Sequence, residues 1–481
     1  VSLNLFDTAS RATAPFRPVR EGAVSLYACG PTTQGAPHIG HLRTFLAVDV
    51  LVRWLERSGY DVTYVRNVTD IEDKILAKSA ENGTPWWAWS YRFEREFHEI
   101  LEDLGCRAPD YEPRATGHVT EMITFMQRLI ERGHAYADGE GSVYFDVHSL
   151  PDYGSLTHQA LEDMQDAGEE PEPGKRDPRD FALWKAAKPT EPATAAWETP
   201  FGRGRPGWHL ECSTMAHRYL GETFDIHAGG LDLRFPHHEN EQAQSHGAGY
   251  DFARTWMHVG VLTVDGQKMG KSLDNFVTGE DALAAHPAPA VRLALLGAHY
   301  RATSEYNEAS LREAEVVWER FAATVQRAQE QLGQDRVLGQ DLRAVDLPEA
   351  FVAAMDDDLS VPEAMAAVHR TQAALNAALA ERPAATDEQI DTLLGELRAM
   401  LDVLGLDPVA WVETAGAGDS EHTALDALVQ DRLAERAEAR AAKDWQRADA
   451  IRDALVRAGI RVEDSADGAR WTLAPLDRKD S

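Results

Sequence analysis

The spacing of apolar positions changes along the chain, and the changes mark its elements. Residues 24–28, VSLYA, are largely apolar and predict a short buried strand running into Pro31. From His41 the run HLRTFLAVDVLVRWLERSG carries Leu42, Phe45, Leu46, Leu51, Trp54 and Leu55 at helical spacing, with Gly59 to close it. DVTYVRNV (61–68) returns to β-branched and aromatic residues, a strand with Asn67 at its far end. Strand, glycine turn, helix, strand is a βαβ unit, so the fold class is α/β with a doubly wound parallel sheet.

From about residue 111 to 205 this rhythm breaks into stretches rich in Pro, Gly and charge, such as EEPEPGKRDPRD, which predict an inserted module. Sheet patterning resumes in TFDIHAGGLDLRF (223–235) and FARTWMHVGVLTV (252–264). After about 305 the chain is rich in Ala, Leu, Glu and Arg at helical spacing to about 410, which predicts a helical bundle. ETAGAGDSEH (413–422) has the composition of a linker, and a small closing unit follows, helices and then a hairpin around Asp467-Gly468.

Composition narrows the function classes. No run approaches the roughly 18 apolar residues of a membrane span, and the first residues show no apolar signal core, so a cytoplasmic protein is expected. Three cysteines, Cys29, Cys106 and Cys212, are too few and too odd for a disulfide framework and fit a reducing compartment. A formal charge of −31 argues against a generally nucleic-acid-binding surface. Residues 434–481 nevertheless hold ten basic and ten acidic side chains, so the excess lies elsewhere and leaves that end open to a local nucleic-acid contact.

Three groups of residues carry chemistry. In GPTTQGAPHIGH (30–41), His38 and His41 flank Gly40 at the start of a helix, where free N–H groups favour an anion such as phosphate. The same residues also read as an ordinary turn with incidental histidines. In DGQKMGKSLDN (265–275), Lys268 and Lys271 beside Ser272 suit a polyphosphate whose charge shifts during reaction, or form a solvated charge run. Cys29, Cys212 and, in FPHHENEQAQS (235–245), His237 and Glu241 make a tetrahedral zinc set if that segment is helical. Taken singly, each is equally a core cysteine or a surface pair.

Together these stretches resemble a known family. PHIGH (37–41) looks like the HIGH motif of class I aminoacyl-tRNA synthetases, and KMGKS (268–272) looks like their KMSKS motif. YACGPTT, NVTDIEDKI (67–75), GRPGWHLECS (204–213), GGLDLRFPHHENE (229–241), MDDDLSVPEAMAAV (355–368) and RAEARAAKDWQRADAIRDALVRAGIRVED (436–464) resemble the cysteinyl-tRNA synthetases, nearly end to end and in family order. The resemblance implies a Rossmann-type catalytic domain in two halves, 1–110 and 206–262, around a connective module, 111–205. A lysine-motif and stem-contact region (263–305), a helical bundle (306–412), a linker (413–424) and an anticodon-binding unit (425–481) would follow.

It further implies ligation of L-cysteine to tRNA with ATP and Mg²⁺ through a cysteinyl-adenylate. One zinc ion on Cys29, Cys212, His237 and Glu241 would take the substrate sulfur. His38, Gly40, His41, Lys268 and Lys271 would serve ATP, and Thr69, Trp208 and Asp232 the bound cysteine. Arg436, Arg440, Lys443, Arg447, Arg452 and Trp471 would meet tRNA, and a monomer is the family habit. Roles for His209, His227 and Gln34 stay open, and Cys106 matches no ligand position. Gly270 stands where the family motif has serine, which removes one hydroxyl donor from that loop. Two rivals share parts of this pattern: a ligase joining cysteine to an amino sugar, and an inactive binding paralogue.

Overall fold

The structure is a computed structural model describing residues 3–164, 174–264, 266–269, 275–380, 385–411, 429, 432–436, 439–440, 444–457, 460–465 and 468–473. Side chains of residues 268, 450, 453, 456–457 and 461–473 are outside that description. The chain divides into two compact units, Val1–Pro408 and Val409–Ser481.

In the first unit, β1 (Asn4–Asp7) and β2 (Ala12–Pro15) form a hairpin that leads into β3 (Ala23–Ala28). Helix α1 (Ile39–Arg57) follows, buries Leu42, Phe45, Leu46, Leu51, Trp54 and Leu55, and connects to β4 (Asp61–Arg66). Apolar side chains at helical spacing therefore form the helix predicted for them. Its end comes at Ser58 and Gly59, the latter at φ 89°, a conformation suited to glycine. Helices α2 (Asp73–Glu81), α3 (Trp86–Asp103) and α4 (Val119–Glu131) lead to a four-stranded antiparallel sheet, β5 (Ala135–Ala137), β6 (Val143–Phe145), β7 (Phe181–Ala186) and β8 (Gly204–Pro206). The chain then returns through α5 (Trp208–Leu220), β9 (Thr223–Gly230), α6 (Glu239–Ala248) and β10 (Phe252–Val259).

Strands β10, β9, β3 and β4 lie in that order and are all parallel. The order reverses at the β3–β9 boundary, and in such sheets ligands bind beyond the carboxyl ends of the strands at that point. The antiparallel insertion does not stand apart from this sheet. Phe145, Phe181 and Trp184 share one apolar core with Phe224, Met215 and Trp256. Glu239, fully buried in α6, accepts from the Gly154 and Thr157 N–H groups at 2.9 and 2.8 Å.

Two of the expected strands are interrupted. The 223–235 pattern ends as a strand at Gly230 and continues as a 3₁₀ turn, Leu231–Leu233. The 252–264 pattern breaks after Val259, and β11 (Leu262–Val264) joins β12 (Gln267–Lys268) and β13 (Ser304–Tyr306) in another sheet. The second break has a clear cause. Arg43, one turn beyond the His38/His41 segment, is buried and donates to the carbonyls of Gly260 (2.6 Å), His299 (3.0 Å) and Ala302 (2.8 Å). A Cβ at residue 260 would come within 2.3 Å of the Ala302 oxygen, so only glycine permits this approach.

Between β12 and β13, α7 (Gly279–Ala285) and α8 (Ala288–Leu296) pack near α1, and the helical region beyond β13 is α9 (Glu308–Leu332), α10 (Gln334–Leu338), α11 (Glu349–Asp356), α12 (Val361–Ala380) and α13 (Asp387–Val403). Asn307 and Thr386 cap α9 and α13 by accepting from the Ser310 and Gln389 N–H groups. Among the described residues no helix is long and apolar enough to cross a membrane.

In the second unit, α14 (Trp445–Arg457) precedes a hairpin of β14 (Ile460–Ser465) and β15 (Gly468–Leu473), around a small core of Val429, Leu433, Leu455 and Ile460. Ser465 pairs with Gly468, as the expected hairpin requires, while Asp467 and the linker 413–424 lie outside the described residues.

Arg43→Met would leave the carbonyls of Gly260, His299 and Ala302 without their shared donor. The expected result is a loss of about 3 kcal/mol of stability, read as a lower urea midpoint with an unchanged slope.

Candidate functional site

The sheet brings the candidate residues to one cavity of about 380 Å³. Cys29 follows β3 directly, and Asp232 follows β9 by two residues, so both stand at the carboxyl ends of the two central strands. Cys29, His38, Gly40, His41, Thr69, Trp208, Cys212, Asp232 and His237 all line the cavity. Residue 30 must be glycine, because a Cβ there would fall 1.6 Å from the Asn67 carbonyl oxygen.

Cys29, Cys212, His237 and Glu241 offer ligand atoms that all lie within 4.8 Å of one another, and all four residues are buried. The two Sγ atoms are 3.6 Å apart, Cys29 Sγ is 3.2 Å from Glu241 Oε1, and His237 Nε2 is 3.0 Å from the same oxygen. Ligands about 2.0–2.3 Å from a tetrahedral zinc stand about 3.3–3.8 Å from one another, so these spacings fit such an ion to a few tenths of an ångström. Residues 183 and 212 positions apart in sequence are thus neighbours in space. His237 belongs to a π-helical turn, Arg234–His238, which feeds α6 and keeps its ring on the Glu241 side.

Neighbouring histidines set the orientation. His237 Nδ1 is 2.9 Å from His209 Nδ1, which leaves His237 Nε2 for the cluster, and His227 Nε2 is 2.9 Å from Glu241 Oε2. Trp208 stacks on His237 with ring centroids 4.0 Å apart. These contacts supply positions for His209 and His227. His238 and His258, which sequence reasoning passed over, continue the array: His238 Nδ1 to His258 Nε2 is 2.8 Å, and His258 Nδ1 to Thr8 Oγ1 is 2.8 Å. The paired histidines of PHHENE were the available signal for the first; the second has none in local sequence. Cys106 is not in the cluster and lies beside Arg292.

Burial raises the Cys29 thiol, and Cys212 and Glu241 beside it raise it further. Cys212, in spite of burial, is drawn below its ordinary value by Cys29 and His237. Burial also opposes the charge on Glu241, yet His227 and His237 hold it well below the usual carboxylate range. Burial likewise works against protonation of His237, but Glu241 and Cys212 outweigh it and raise the ring to about 9. A cation held by these four residues would displace the His237 proton.

On the other side of the cavity, His38 and His41 stack 3.6 Å apart at the start of α1. The His38 N–H donates to His41 Nδ1 at 3.3 Å, which makes Nε2 the protonated nitrogen of a neutral His41. A Cβ on Gly40 would come within 3.0 Å of His38 Nδ1 and 3.6 Å of Met269 Cε, so the histidine and lysine motifs meet there. Ile39 N–H donates to Val277 O and Gly279 N–H to Pro37 O, fastening the segment after the lysine motif to the start of α1. Lys268 lies on β12, with its side chain outside the described residues, and Gly270 and Lys271 are outside them altogether.

Thr69 Oγ1 donates to Glu211 and accepts from Asn67 Nδ2, so its orientation is fixed. Asp232 is exposed at the cavity mouth. Gln34 Oε1 accepts from Lys78 at 3.1 Å. In the second unit Arg436 and Arg440 lie on helical backbone and Arg447 and Arg452 on α14, while Lys443 and the Trp471 side chain are outside the described residues. Trp445, not singled out from sequence, is 58% exposed at the start of α14.

Comparison with known proteins follows the same layout. A family model described as the class I (C) tRNA synthetase catalytic domain matches residues 15–316, a DALR domain matches 350–407, and a cysteinyl-tRNA ligase anticodon binding domain matches 422–471. A cysteine–tRNA ligase of Beutenbergia cavernae is 58% identical over 479 residues, covering 98% of this chain and 99% of that protein. One of Streptomyces avermitilis is 52% identical over 477 residues, covering 99% and 100%. Among solved structures, Mycobacterium tuberculosis methionyl-tRNA synthetase in complex with methionyl-adenylate shares the fold, with a TM-score of 0.56 at 15% identity over 80% of this chain and 90% of that one.

Loss of hydration pushes His41 from 6.5 down to about 4. Its unfolded form then binds a proton that the folded form refuses between those values, so stability falls as pH drops through that window. The urea midpoint should decrease between pH 7 and pH 4.5, and His41→Gln should make that decrease smaller than in the unsubstituted chain.

Proposed function

Because the chain belongs to the cysteine–tRNA ligase family of class I aminoacyl-tRNA synthetases, we propose that it activates L-cysteine with ATP as cysteinyl-adenylate and passes the cysteinyl group to tRNA, a zinc ion selecting the substrate thiolate. The observation that carries this reading is the buried Cys29–Cys212–His237–Glu241 quartet, three of whose members line the same cavity as His38 and His41. The anticodon-domain match over 422–471 favours tRNA over an amino-sugar acceptor.

Zinc, when bound, supplies a soft cationic position that takes sulfur as thiolate in preference to a hydroxyl oxygen. That preference answers a specificity problem: a hydrophobic pocket alone separates near-isosteres only by modest factors. Trp208, stacked on His237, walls the position, Asp232 at the mouth pairs with the substrate ammonium, and Thr69 adds a fixed hydroxyl.

For activation, the substrate carboxylate attacks the α-phosphorus of ATP in line and pyrophosphate leaves. His38 and neutral His41, with the start of α1, direct donors to the α-phosphate. Lys268 and Lys271, with Mg²⁺, neutralise the departing pyrophosphate. The side chains form no covalent bond with either substrate; orientation and fixed charge do the work. Arg436, Arg440, Lys443 and Trp471 would meet the anticodon end of the tRNA, the arginines and lysine at phosphates and the indole against a base.

Transfer of labelled cysteine to total tRNA with ATP and Mg²⁺ tests the reading. Charging should require zinc, and Cys212→Ser should reduce it about 100-fold or more. Equal charging by zinc-stripped protein, or charging with serine as readily as with cysteine, would overturn the zinc role.

A further inference from the structure

Behind the cavity-facing quartet the same cluster contains a second one. Cys29, His227, His238 and Glu241 also offer ligand atoms within 4.8 Å of one another, and all are buried. His227 and His238 have no exposed surface, and neither lines the cavity. Glu241 straddles the two sets: Oε1 is 3.0 Å from His237 Nε2, whereas Oε2 is 2.9 Å from His227 Nε2.

An independent feature points into this deeper set. His238 Nε2 is buried without a hydrogen-bond partner among the described residues and lies 3.9 Å from Glu241 Oε1. A buried imidazole nitrogen without a partner is costly, and a cation between His238 and Glu241 would satisfy it. Its ring is already held as a ligand ring would be, through Nδ1 to His258 and from His258 to Thr8. Residue 229 must be small for the ring to fit, since a Cβ there would lie 2.7 Å from His238 Cε1. His227 is clamped by Trp256, stacked at 4.4 Å.

We propose that the deeper quartet, Cys29, His227, His238 and Glu241, is a second position for a divalent zinc-like ion. It rests on the reading of Cys29 and Glu241 as metal ligands. Both positions use the Cys29 sulfur and the Glu241 carboxylate, so the chain holds one ion at a time, in one position or the other. The cavity-facing set supplies two thiolates and a carboxylate and opens to substrate. The deeper set supplies one of each, which neutralises a dication, and its two histidines are buried away from the cavity, so substrate cannot reach that position. An ion moving inward exchanges Cys212 and His237 for His227 and His238, and leaves substrate reach without leaving the protein.

The test is cobalt(II) loading of the metal-stripped full chain, read by thiolate-to-cobalt absorption and by metal content after desalting. Cys212→Ser should keep one cobalt per chain, with about half the thiolate band of the unsubstituted protein, because one sulfur remains. Adding His237→Ala to Cys212→Ser should leave that band unchanged, and adding His238→Ala should abolish it. Far-UV circular dichroism confirms that each variant is folded. Folded Cys212→Ser without cobalt overturns the proposal, and so does loss of cobalt from the His237→Ala double variant; that arm decides even if the His238→Ala variant fails to fold. Half-band retention in Cys212→Ser, beside an unsubstituted protein that shows no two-thiolate band, would overturn the cavity-facing zinc reading and leave the deeper quartet standing.

Discussion

Glu241 is a carboxylate without exposed surface at the centre of an α/β core, and its contacts organise what surrounds it. A lone charge there would be far too costly. His237 and His227 meet its two oxygens, Cys29 approaches one of them, and His209, His258 and Thr8 hold the outer ring of the array. Placing that carboxylate requires α6, and α6 in turn is tied to the insertion through Glu239 and the Gly154–Thr157 turn. The insertion thus supports the helix that carries Glu241.

The His38/His41 side of the cavity depends on a second buried charge. Arg43 draws the backbone at Gly260, His299 and Ala302 toward α1, and the segment 277–279 is hydrogen-bonded to residues 37–39. The chain on either side of the lysine motif is therefore anchored to the helix that carries the histidine motif. The groups proposed above to meet phosphate would gain a common frame from two distant parts of the sequence, the kind of positioning on which electrostatic catalysis relies.

Much of this was legible in sequence, for identifiable reasons. His38, Gly40 and His41 lie within one turn between a clear strand and a clear helix, so local periodicity located them. His237 and Glu241 carry the four-residue spacing of a helical face, even though the backbone between them begins as a π turn. The broken strand at Gly260 was not legible, because its cause, Arg43, is 217 residues away. His258 was hidden for the same reason: its role exists only once β10 lies beside the residues that follow β9.

The separation of Cys29 from Glu241 by 212 positions also bears on how the molecule is made. A growing chain carries its first thiol from the outset but lacks the carboxylate until β3, the insertion, β9 and α6 have all been synthesised. Closing so large a loop is entropically expensive and is compensated only by the completed sheet. A metal ion held by Cys29 and Glu241 therefore cannot nucleate this fold as it does a zinc finger. Such an ion would have to arrive at a finished core, after the long loop between its ligands has closed.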